Sequence, residues 1–167
     1  MELLIRYVRF FMKGITQPMP AASLRILLID DNRHGLVARR AVLEQLGYTV
    51  ALAAGGQEGI DQFQSQTFDL VVTDYRMPEV SGQQVIRKIR QLVPKMPIVL
   101  LSGYVEALGL TEQSTGADIV VTKGPGEVQA LLRAVARLEK KRVPAKPPGT
   151  ARIGKASRQR TAKRKAG

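Results

Sequence analysis

The chain has 167 residues, no Cys, one His and no Trp, and 44% of it is hydrophobic, which suits one compact domain with tails. The missing cysteines exclude disulfides and thiolate chemistry, and no run approaches the ~18 apolar residues that would cross a bilayer. The formal charge of +12 is unevenly placed: residues 23–138 hold 12 Lys/Arg against 12 Asp/Glu, whereas residues 140–167 hold 11 Lys/Arg and no acid, so the basic character belongs to a tail.

Residues 1–22 read as a leader. Arg6, Arg9 and Lys13 fall at helical spacing, which suits a short surface helix, but Arg6 and Arg9 interrupt the apolar stretch that a signal peptide requires. A start at Met19 is the plainer alternative. From residue 23 the pattern alternates between short apolar runs and amphipathic stretches. Residues 24–29 (LRILLI) predict a first strand; Leu36, Leu43 and Leu46 then recur at helical spacing until Gly47 stops the helix. Residues 49–53 predict a second strand, and Ile60 and Phe63 mark a short second helix. Residues 69–73 (DLVVT) are a third strand; Val85, Ile86, Ile89 and Leu92 give a third helix closed before Pro94. Residues 97–101 (PIVLL) are a fourth strand, 104–114 a weak fourth helix, and 118–121 (DIVV) a fifth strand. Val128, Leu131, Leu132, Val135 and Leu138 form the apolar stripe of a last helix. Beyond Glu139, residues 140–167 lack large apolar side chains and are expected to be a disordered basic tail, since burial there cannot offset ordering entropy. No output domain such as a helix-turn-helix is expected after residue 138.

Strands that are apolar throughout, separated by amphipathic helices, imply a parallel sheet covered on both faces, hence an α/β doubly wound fold of five βα units. Ligand sites in such folds lie beyond the carboxyl ends of the strands. Asp30 and Asp31 follow the first strand, Asp74 ends the third, Ser102 ends the fourth and Lys123 follows the fifth. Three carboxylates on one rim cannot all stay ionised unaided. A hard divalent cation solves that problem, and oxygen donors without His or Cys point to Mg²⁺ rather than zinc. An ionised carboxylate needs no general base to attack phosphorus, so Asp74 is the expected nucleophile, with Ser102 and Lys123 placed to offset phosphoryl charge.

The segments ILLIDDN, VVTDYRMPEVSG, IVLLSGY and VVTK, in that order and at strand ends, resemble the receiver domain of two-component response regulators over about residues 24–138. The resemblance implies a flavodoxin-like sheet of order 2-1-3-4-5 within residues 23–139. It also implies Mg²⁺ held by Asp30, Asp31, Asp74 and the backbone carbonyl of Arg76, with phosphorylation on Asp74. Ser102 and Lys123 would contact the phosphoryl group, and a histidine kinase or phosphotransfer protein would be the donor. A downstream protein partner would read the switch, and the setting would be cytoplasmic. The chain departs from the family pattern at Lys123-Gly124-Pro125, where Lys-Pro is usual, and at Val120, where an aromatic switch residue is usual, so the aromatic readout is either absent or moved to Tyr104.

Blander readings stand beside these. Asp30 and Asp31 each suit a strand-end turn or helix cap. Gly82 suits a turn opening the third helix. His34 suits a surface position better than a phosphoryl carrier, and Arg33, Arg39 and Arg40 suit either a solvated face or a partner contact. The tail suits nucleic acid or another anionic surface, or plain solubility, and a degenerate receiver serving only as an interaction module is the alternative function. A phosphatase built on Asp74 would want a second Asp at position 76, which is Arg.

Overall fold

The structure is a computed structural model that describes residues 23–141; the readings of the leader and of the tail from 142 onward fall outside the described residues. Five strands form one parallel sheet of order β2-β1-β3-β4-β5: β1 (Arg25–Ile29), β2 (Thr49–Ala53), β3 (Leu70–Asp74), β4 (Ile98–Ser102) and β5 (Ile119–Thr122). Five helices connect and follow them: α1 (Arg33–Gln45), α2 (Gly56–Ser65), α3 (Gly82–Leu92), α4 (Glu112–Thr115) and α5 (Glu127–Lys141). This is the doubly wound arrangement that the alternating pattern predicts, in the flavodoxin-like strand order that the family resemblance implies.

The sheet divides the core in two, because side chains alternate across a strand. Ile26, Leu28, Leu70, Val72, Val99 and Leu101 face α1 and α5, where they meet Leu36, Leu43, Leu131, Val135 and Leu138. Leu27, Ile29, Val71, Ile98 and Leu100 face α2 and α3, where they meet Phe63, Val85, Ile86 and Ile89. Burial on both faces explains the continuous apolar runs at 26–29, 70–72 and 98–101, with Arg25 at the exposed start of β1 and Thr73, Asp74 and Ser102 only at the strand ends.

Local signals set the helix ends. The Asn32 side chain accepts from the Gly35 N–H at 3.1 Å and caps α1, and Ser81 with Gln84 forms a reciprocal capping box at α3. Tyr48 donates to Glu139 at 2.8 Å and so ties the start of β2 to α5; burial, then that carboxylate, pushes its phenol well above the usual value.

The fourth helix differs from expectation. Instead of running over 104–114, the chain makes irregular turns over 103–109, and helical geometry is confined to α4, four residues long. Two local features explain this. Gly109 is left-handed at φ 57°, and Thr111 caps a new start, its hydroxyl accepting from Ser114. Tyr104 and Leu108 are 45% and 53% exposed, so no apolar face anchors a longer helix. Among the described residues no helix is long and apolar enough to cross a membrane.

Candidate functional site

The parallel register brings the chemistry together. Ile29 pairs with Thr73, Asp74 with Leu101, and Ser102 with Thr122, so Asp30, Asp74, Ser102 and Lys123 leave adjacent strands at one rim. Asp30 is fully buried. Its Oδ1 accepts the Asn32 N–H at 2.8 Å, and its Oδ2 accepts both Lys123 Nζ at 3.0 Å and Arg39 Nη1 at 2.9 Å. Lys123 Nζ also lies 2.8 Å from Asp74 Oδ1, so a single ammonium bridges two of the carboxylates. Asp31 is exposed at the mouth. Ser102 is buried, and its Oγ accepts the Tyr104 N–H at 3.0 Å. Asp74, Arg76, Ser102, Gly103, Tyr104 and Lys123 line an open cleft.

Burial opposes charge at this rim. It pushes the Asp74 carboxyl above its usual value; Lys123 pulls the other way without cancelling it, and Asp30 adds to the upward push. Burial also acts against the Lys123 ammonium, but the hydrogen bonds and charges of Asp74 and Asp30 outweigh it, so its pKa is raised. The site is therefore short of positive charge. One carboxylate oxygen from each of Asp30, Asp31 and Asp74 lies within 4.8 Å of the others. A hard, oxygen-only donor set of that charge fits Mg²⁺.

The loop between β3 and α3 is tightly held. A Cβ on Gly82 would sit 1.9 Å from the Asp74 carbonyl oxygen, and the Gly82 N–H donates to the Tyr75 carbonyl at 3.0 Å. Gly82 is thus required by close backbone approach, a stronger demand than turn chemistry alone. Glu79 takes a left-handed φ of 63° in the same loop. The Arg76 guanidinium stacks over the Tyr104 ring at 4.6 Å, which puts that aromatic beside Asp74's loop.

Lys123 reaches both carboxylates with Gly124 between it and Pro125, and Gly124 and Gly126 take φ values of 142° and 85° that favour glycine. Val120 is half-buried against the α2 and α3 side of the core. His34, Arg33 and Arg40 are exposed, and Arg40 pairs with Glu44 at 2.7 Å. Arg39 departs from the reading that grouped it with them: it is buried and paired with Asp30 and Glu127. Its spacing held the signal, since 36, 39 and 43 lie on one helical face and both neighbours on that face are core leucines.

A family model described as the response regulator receiver domain matches residues 26–136. The chain belongs to this family. The receiver is 32% identical over 137 residues to the gliding motility regulatory protein of Myxococcus xanthus, covering 78% of this chain and 17% of that protein. It is 31% identical over 116 residues to the aerobic respiration control sensor protein ArcB of Escherichia coli (strain K12), covering 68% and 15%. The chain thus spans less than a fifth of the length of these curated relatives. A solved receiver domain from Clostridium thermocellum superimposes with TM-score 0.64 at 29% identity, covering 71% of this chain and 95% of that one. The response regulator TrrA of Thermotoga maritima, solved in complex with Mg(2+)-BeF, gives TM-score 0.63 at 30% identity, covering 69% and 98%. Membership places the chain in two-component signalling.

Proposed function

We propose that this receiver accepts a phosphoryl group on Asp74 from a histidine kinase or phosphotransfer protein, and that the phosphorylated form alters a face around α4, β5 and α5 that a downstream partner reads. The observation that carries the reading is the bridge made by Lys123, whose ammonium sits 2.8 Å from Asp74 Oδ1 and 3.0 Å from Asp30 Oδ2. A cation so held meets the negative charge that a phosphoryl group would bring to Asp74.

In the proposed step an Asp74 carboxylate oxygen attacks phosphorus. The new O–P bond forms as the bond to the donor's leaving group breaks, which yields an acyl phosphate. Lys123 then shifts its charge toward the phosphoryl oxygens, and the Ser102 hydroxyl at the end of β4 donates to one of them. Asp30, Asp31, Asp74 and the backbone carbonyl of Arg76 would hold Mg²⁺, which when bound supplies the charge that offsets the phosphoryl oxygens. Such chemistry is that of a signalling phosphoacceptor with slow turnover, not of a metabolic enzyme.

The test is incubation of the full chain with Mg²⁺ and a small acyl-phosphate donor, followed by assay for an acid-stable, base-labile phosphoprotein. One label per chain is expected, lost in Asp74→Asn. No label on the wild type, or equal label on Asp74→Asn, overturns the reading.

A further inference from the structure

Arg39 is a buried cation that the phosphoacceptor reading does not use. It occupies a core position of α1, on the face shared with Leu36 and Leu43, and is 8% exposed. Its guanidinium joins two carboxylates far apart in sequence: Nη1 lies 2.9 Å from Asp30 Oδ2, and Nε lies 2.5 Å from Oε1 of Glu127, the first residue of α5. The fold makes room for it, since a Cβ on Gly35, one turn earlier, would sit 2.6 Å from Arg39 Nη1. Charge, burial and fitted space together make this an assembled contact rather than a surface ion pair.

The oxygen that Arg39 contacts is the one that Lys123 also contacts. Asp30 therefore carries two cations on Oδ2. A divalent ion arriving beside Asp30 meets the fixed charge of Arg39, and Asp30 must divide its negative charge between them. Glu127 gives Arg39 a second carboxylate, so the guanidinium stays compensated as Asp30 turns to the metal.

We propose that Arg39 is a positioning residue that lowers the receiver's affinity for divalent cation, and that Glu127 limits the penalty by holding Arg39 when Asp30 is shared. The link makes cation binding at the rim and the position of α5's first turn interdependent. It rests on the reading of Asp30, Asp31 and Asp74 as the Mg²⁺ site.

Mg²⁺ titration of the full chain by calorimetry, with melting midpoints in chelator, tests this on wild type, Arg39→Leu, Arg39→Gln, Glu127→Gln and Arg39→Gln/Glu127→Gln. Arg39→Leu and Arg39→Gln are expected to bind Mg²⁺ roughly tenfold more tightly while melting at lower temperature without metal, a pairing that a merely structural arginine would not produce. Glu127→Gln is expected to bind several-fold more weakly, and to add nothing once Arg39 is replaced. Should Arg39→Leu fail to fold, Arg39→Gln and Glu127→Gln carry the test. Wild-type affinity in Arg39→Gln and Glu127→Gln, on a wild type that binds Mg²⁺, overturns the inference and leaves the metal reading standing. No Mg²⁺ binding by wild type or by either Arg39 variant overturns both.

Discussion

Lys123 and Asp74 place opposite demands on one another. The lysine stabilises an ionised Asp74, yet in the proposed reaction that pairing occupies an oxygen that would attack phosphorus. The conflict is tolerable because Lys123 has a second partner in Asp30, and so keeps a carboxylate while it follows the incoming charge. Backbone strain lies close by. Glu79, five residues past Asp74, holds φ at 63°, where a side chain costs about 1 kcal/mol or more. Glu79→Gly is expected to raise stability by about 0.5–1 kcal/mol in denaturant unfolding, because the strain relieved exceeds the unfolded-chain entropy that glycine adds. A loss instead would mean that the Glu79 side chain itself holds the loop. Asp30, Asp31, Asp74, Ser102 and Lys123 were readable from sequence because polar residues that end apolar runs stand out. Arg39 was passed over, because apolar periodicity counts leucines and skips a charged residue on their face, although its spacing from Leu36 and Leu43 carried the cue. Its partners, Asp30 just after β1 and Glu127 at the start of α5, mark it as a core arginine, and the pairing with Glu127 spans a long stretch of chain.

Individual elements followed the sequence where both faces of the sheet are covered. Residues 26–29 of β1, 70–72 of β3 and 98–101 of β4 are uninterrupted apolar runs because helices lie above and below them, and the helices α3 and α5 carry clear apolar stripes. The stretch between β4 and β5 was harder to read. Tyr104 and Leu108 stay exposed and Val105 and Leu110 are only half-buried, so spacing had no continuous buried face to report, and Gly109 and Thr111 decided the geometry locally. The junction of β3 with α3 shows the reverse case, in which one small residue is demanded by packing. Gly82→Ala would drive a methyl into the Asp74 carbonyl oxygen 1.9 Å away, and backbone there cannot give as a flexible side chain would. The expected result is a loss of about 1–3 kcal/mol in stability together with slower labelling of Asp74, since the loop that carries the proposed acceptor must shift. Wild-type labelling in a destabilised Gly82→Ala would separate the packing role from the placement of Asp74.

Across the whole molecule, the rim's charge balance should appear in how stability depends on pH. The Asp74 carboxyl titrates above its usual value, chiefly because it is buried. A raised carboxylate means that the folded state binds the proton more tightly than the unfolded chain does. Its contribution is therefore fully present below the ordinary Asp range near pH ~3.9, and is lost as pH rises through the folded pKa. Lys123 has the same sign but a different window: its raised ammonium pKa keeps its contribution intact until pH rises past the ordinary lysine range near ~10.4. At neutral pH in chelator the lysine bridge is thus at full strength while ionised Asp74 is a burden. Asp74→Asn removes that burden and leaves Lys123 its contact with Asp30. The substituted receiver is expected to melt a few degrees above wild type at pH 7, with the gain shrinking toward zero as pH falls to about 4. Mg²⁺ should narrow the difference at pH 7 by stabilising the wild type more than the variant, because the wild type presents one more carboxylate to the ion. Melting curves in chelator at pH 4 and 7, and in Mg²⁺ at pH 7, decide the matter. A variant that melts below wild type in chelator at neutral pH would show that the Lys123–Asp74 pair contributes more to the fold than burying the carboxylate costs.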